Sequence, residues 1–93
     1  MDFDSYKYYS LESSTLTYDR ATGKYNGGEI VTVAKFDYYT EVCTKLVQEA
    51  SNFLNTHPGS VIGIVKEDSI VVSYDQNEPV QKYQFFTAIK HKT

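Results

Sequence analysis

Residues 37–55 read DYYTEVCTKLVQEASNFLN, and this stretch decides the fold. At roughly 100° per residue, Tyr39, Val42, Cys43, Leu46, Val47, Ala50, Phe53 and Leu54 fall within an arc of about 140°, the apolar stripe of an amphipathic helix. Glu41, Lys45, Gln48, Glu49 and Asn52 lie on the other side, where Glu41 and Lys45, then Lys45 and Glu49, are spaced as neighbours on a helix surface. One face is core and the other is solvated. Asp37 is the expected N-cap, because its carboxylate can accept the unpaired amide hydrogens of the first turn, and Glu41 suits the positive end of the helix dipole. Pro58 then disfavours helical backbone at His57 and Gly59 permits a reversal, so residues 55–59 mark the exit.

Working outward, Val61–Lys66 and Ile70–Asp75 are β-branched runs separated by Glu67-Asp68-Ser69, a hairpin-length connection that predicts an antiparallel pair. A third strand, Val80–Lys90, alternates Tyr83, Phe85, Thr87 and Ile89 against Gln84, Phe86, Ala88 and Lys90. Upstream of the helix, Ile30–Phe36 reads as a strand preceded by Asn26-Gly27-Gly28. Leu16–Tyr18 and Lys24–Tyr25 flank Asp19 to Gly23, which has the aspartate and glycine of a tight turn and predicts a hairpin. The first dozen residues carry Phe3, Tyr6, Tyr8, Tyr9 and Leu11 and predict a further strand, with Tyr6 and Tyr8 on one side and Tyr9 and Leu11 on the other.

These elements predict an α+β fold: one domain over residues 1–93, with a mostly antiparallel sheet of about five to six strands and one helix on one face. The strands at Val61–Val65, Ile70–Val72 and Phe85–Phe86 carry apolar side chains on both sides, as sheets covered on both faces do. One helix cannot cover two faces. The second face is therefore expected to meet either another copy of the chain or the N-terminal segment with Tyr6, Tyr8 and Tyr9 folded back over it.

Composition narrows the function classes. With 41% hydrophobic and 23% charged residues the chain is a packed globular protein, and 93 residues support one core. The net charge of -3 is spread along the chain, which disfavours a polyanionic partner; the one basic cluster is the tail Lys90-His91-Lys92. The single cysteine rules out an intrachain disulfide and suits a reducing, cytoplasmic setting. The acidic start Met1-Asp2-Phe3-Asp4 is unlike a signal peptide, and the longest apolar run is Val61–Val65, far short of the ~20 residues a membrane helix needs.

Catalytic and metal chemistry find little support. Cys43 sits inside the apolar stripe, where a cysteine is a small packing residue, and His57 lies about 21 Å further along the helix axis. Two separated histidines and one thiol do not make a zinc set, and Asp19, Glu29, Glu67, Asp68 and Asp75 lack calcium-loop spacing. Gly23-Lys24 lacks the upstream glycine and following serine or threonine of a phosphate loop. No cofactor is expected.

Tyrosine is the unusual feature: nine of them, with no tryptophan. The residue joins a broad ring to a hydroxyl with few rotatable bonds, which suits a contact surface, and it is equally a favoured strand residue. Tyr6, Tyr8, Tyr9 and Tyr25 are the candidate partner-binding residues, and Tyr39 belongs to the core. The leading expectation is a non-enzymatic protein-interaction module that binds and occludes a larger protein and forms a homodimer. Accessory and inhibitor proteins of phages and mobile elements share this size and composition, which is analogy alone. Two alternatives stand beside it: a nucleic-acid-binding module using a tyrosine-rich sheet face and the Lys90–Lys92 tail, and a small enzyme with an unrecognised site.

Overall fold

The computed structural model describes residues 6–92, so Phe3 of the expected N-terminal strand lies outside the described residues. In chain order the elements are β1 (Tyr8–Asp19), β2 (Lys24–Gly27), β3 (Val31–Phe36), α1 (Tyr39–Thr56), β4 (Val61–Lys66), β5 (Ser69–Tyr74) and β6 (Val80–His91). All pairings are antiparallel, and the chain is an α+β fold with α1 packed on one face of the sheet.

The first difference from the sequence reading concerns β1. Two short segments were expected there, and the structure has one strand of twelve residues in unbroken register with all twelve of β6. Residues 8–19 contain no glycine or proline to interrupt them, so the partner's length sets the strand's length. β2 and β3 share the other margin of β1: β3 pairs with its first half and β2 with its last four residues. Between them Gly28 donates its amide to the Thr15 carbonyl at 2.7 Å, and a Cβ at Gly28 would lie 2.9 Å from that oxygen. Only glycine lets the chain pass so close to β1 as it steps from one strand to the next.

The sheet thus runs from β2 and β3 through β1, β6 and β5 to β4 at the far margin. α1 connects β3 on one margin to β4 on the other and crosses the sheet on the way. Its buried residues Val42, Leu46 and Ala50 meet Leu11, Ile70, Val72, Phe86 and Ala88, with Tyr9, Phe36, Tyr39, Cys43, Phe53 and Leu54 packed around them. The expected helical core face is present as read.

The helix begins at Tyr39, and its N-cap falls one residue later than expected. Tyr38, in extended conformation, is the N-cap and makes no side-chain capping bond, so Asp37 does not serve as the cap. Phe36 at the end of β3 and Tyr39 at the start of α1 both pack on the core, which leaves only Asp37 and Tyr38 to make the corner. At the other end the His57 amide donates to the Phe53 carbonyl at 3.0 Å, and the two rings stack at 3.8 Å.

Away from the helix the sheet extends as an arm built from the ends of β1, β2 and β6. Arg20 fastens its tip: the backbone amide donates to Pro79, and the guanidinium donates to the carbonyls of Gln76 and Glu78 and to the Gln81 side chain. The molecule is long and thin, 49 × 26 × 20 Å.

Candidate protein-interaction surface

Strand register assigns every strand side chain to a face. Leu11, Ala88, Phe86, Ile70, Val72 and Ile62 look toward α1, whereas Tyr8, Ser10, Leu16, Tyr18, Tyr83, Phe85, Ile89, Val71, Val61 and Ile64 look the other way. No other element among the described residues lies on that second face. Its centre is a cross-strand row of Ser14, Phe85, Val71 and Ile64, beside a second row of Leu16, Tyr83, Ser73 and Val61. Exposed Ile30 stands with Leu16, Gly27, Gly28 and Phe85 around a shallow recess on it. The apolar residues expected on both faces are there.

Tyr8 and Tyr9 do not fold back over this face, because they are inside β1 and contribute to the sheet itself; residues 1–5 lie outside the described residues. Tyr8 stacks on His91, centroids 4.3 Å apart, at one end of the second face.

β4 is the more unusual part. Val61, Ile62, Ile64 and Val65 are 55, 45, 50 and 65% exposed, and the whole strand is solvent-accessible on both faces. The physical reason is width. A helix with its side chains is about 10–12 Å across and strands lie about 4.8 Å apart, so one helix covers only two or three strands. β4 is the outermost strand, with β5 as its one strand partner among the described residues, so its outer margin presents free backbone donors and acceptors.

The four candidate tyrosines do not form one patch. Tyr6, Tyr8 and Tyr9 gather at one end, but Tyr9 looks toward α1, with its ring 5.5 Å from Tyr39 and 6.1 Å from Tyr6. Tyr25 is 60% exposed and pairs with Tyr18 at the other end of β1, about 30 Å away along the strand. Lysines accompany the first group: Lys90 lies over Tyr6 and Tyr39, Lys92 over Tyr6, and Lys35 over Tyr8, at 5.1–5.7 Å. These are cation–π distances. Burial, a hydrogen bond with Cys43 and the carboxylates of Glu67 and Asp68 hold the Tyr39 hydroxyl well above the ordinary phenol range.

The fold also brings together a group whose members lie far apart in the chain. Ser10 Oγ lies 2.7 Å from His91 Nε2 and 3.3 Å from Glu12 Oε2, on the second face. A serine beside an imidazole is the pairing that nucleophilic catalysis needs. Here, however, Ser10 is 1% exposed, so its hydroxyl is closed to a substrate and ties β1 to β6. The pairing was illegible because 81 residues separate its partners.

Cys43 is a free, half-buried thiol packed against the core. Among the described residues no three histidine, cysteine or carboxylate side chains are grouped to hold a metal ion, and no helix is long and apolar enough to cross a membrane.

No family model, curated protein or solved structure matches this chain. Val61–Val65 reads from sequence as a two-sided strand, but its place at the margin depends on strand order.

Proposed function

We propose that this chain is a non-enzymatic protein-interaction module of the accessory or inhibitor kind, which binds and occludes a larger protein. The observation that carries the reading is β4, four exposed aliphatic side chains on a strand whose outer margin has no strand partner among the described residues. A monomeric protein seldom leaves a run of this kind open, since unpaired strand edges recruit other chains and apolar patches mark contact surfaces. An extended segment of a partner can add to such a margin by main-chain hydrogen bonds, with the aliphatic side chains supplying burial.

The test compares wild-type chain with Ile64→Lys in affinity capture from the native host, followed by calorimetric titration of each captured protein, purified, with both forms. The expected result is a protein bound by wild type and lost in the variant. Equal retention of every bound protein by both forms removes β4 as the contact surface.

The lysines set over Tyr6, Tyr8 and Tyr39 favour a second reading, binding of single-stranded nucleic acid at that end. Asp37 and Glu41 line a recess with Tyr8 and Lys35, and their negative charge opposes it. Oligonucleotide affinity that falls steeply with added salt, and falls again in Lys90→Gln, would support this reading over the first.

A further inference from the structure

We infer that Tyr6, Tyr9 and Tyr39 form an aromatic cage for an ammonium group, that Lys90 plugs this cage in the free chain, and that the ligand which displaces it is a quaternary or methylated ammonium. None of these residues belongs to β4, so the cage and the β4 surface can be tested separately.

The walls come first. Tyr9 of β1 stands 5.5 Å from Tyr39 with the rings inclined at 56°, and 6.1 Å from Tyr6 at 46°. Rings tilted in this way enclose a space, where parallel rings would close on one another. Tyr9 and Tyr39 both pack against the core, one from β1 and one from the first turn of α1, so two walls are fixed by the fold itself.

The chain shows what chemistry this space takes, because it places a cation there. Lys90 is the cross-strand partner of Tyr9, and its Nζ lies 5.1 Å from the centre of the Tyr39 ring and 5.4 Å from that of Tyr6. Both distances are inside the range at which the negative face of an aromatic ring attracts a cation. No carboxylate among the described residues lies within ion-pair distance of Lys90, so the ring faces hold its ammonium.

The plug is weaker than the walls. Lys90 is exposed, and fixing its four-carbon stem in one place costs rotamer entropy. A primary ammonium is also strongly hydrated, so it gains little by leaving water. A quaternary or methylated ammonium keeps the charge, sheds water more readily and sets its methyl groups against the rings, which lets it compete with Lys90. Lys92, 5.6 Å from the Tyr6 ring, opposes a further cation at the rim, and the carboxylates of Glu67 and Asp68, which act on the Tyr39 hydroxyl, offset it.

The experiment follows the methyl proton resonances of choline and of a short peptide carrying trimethyl-lysine, each titrated with the full chain at constant ionic strength. The uncharged carbon isostere of choline is the control. The methyl signals of at least one cationic probe should move upfield as they enter the ring faces, and those of the isostere should not. Lys90→Gln, which removes the plug, should tighten binding by about tenfold, and Tyr6→Leu, which removes the outer wall, should weaken it by about tenfold. Both variants should keep the circular dichroism spectrum of the wild type. Binding of choline alone supports the cage with a small-molecule ligand, and binding of the peptide alone supports it with a methylated side chain. No upfield shift of either probe with Lys90→Gln overturns the cage, as does an isostere that binds as well as choline. Binding by Lys90→Gln no tighter than by wild type overturns Lys90 as the plug.

Discussion

Val72 and Ile62 are cross-strand neighbours on the same face of the sheet, yet Val72 is fully buried and Ile62 is 45% exposed. Both are β-branched, and both belong to short runs that read alike in the sequence. The difference is one strand spacing: β5 lies under the helix and β4 lies past its flank. Hydrophobicity selects which residues seek cover, and the width of the covering element decides which of them obtain it. Where cover runs out, the same side chains stay exposed to water.

This contrast can be tested from both sides. The largest effect belongs to the covered strip: Leu46→Ala should cost about 2–5 kcal/mol, the range for emptying a well-packed site. Denaturant melts measure it, and a loss below half of one kcal/mol would show that the helix face is not the core. Cys43→Ala, at the half-buried flank of the helix, should cost about 1 kcal/mol and leave partner binding unchanged. Abolished binding by a variant that melts normally would move Cys43 from packing to function.

Val65→Ala, measured in dilute solution, should change stability by less than about 0.5 kcal/mol. If it matches Leu46→Ala in cost, β4 is covered within a single chain and the contrast fails. The smallest effect is a slope. Tyr39 has its pKa raised in the folded state, so its contribution is present below the ordinary phenol pKa of 10.0 and is lost as pH rises above it. Lys82, raised by its hydrogen bond to Asp75, acts in the same direction above 10.5. Melting temperature should therefore fall with alkaline pH, and Tyr39→Phe should fall less steeply. Parallel slopes for the two proteins would show that Tyr39 does not titrate with folding.

Much of the fold was legible because its signals are local. The stripe from Tyr39 to Leu54, the hairpin around Gly23, and the meander from Val61 to Lys90 follow from periodicity and turn chemistry within windows of a few residues. The N-cap falls at Tyr38 rather than Asp37, one residue later, because Asp37 is a good cap in isolation while the packing of Phe36 and Tyr39 sets the corner. The candidate site was legible only in part. Tyrosine count pointed to Tyr6, Tyr8, Tyr9 and Tyr25, and the structure divides them between two ends and, for Tyr9, the core. A ring's availability depends on neighbours far away in sequence.

The sequence by itself determined the element types, the helix with its apolar face, the hairpin turns and the two-sided apolarity of the strands. These depend on residues near one another in the chain, whose side-chain period and backbone preferences act before any distant contact forms. The tertiary structure alone decided that β1 runs unbroken beside β6, that β2 and β3 share one margin, that Ser10 meets His91, and that β4 lies outermost. Each is a pairing between segments far apart in sequence, and strand order is chosen by the total burial and hydrogen bonding of the whole sheet, which no single segment encodes.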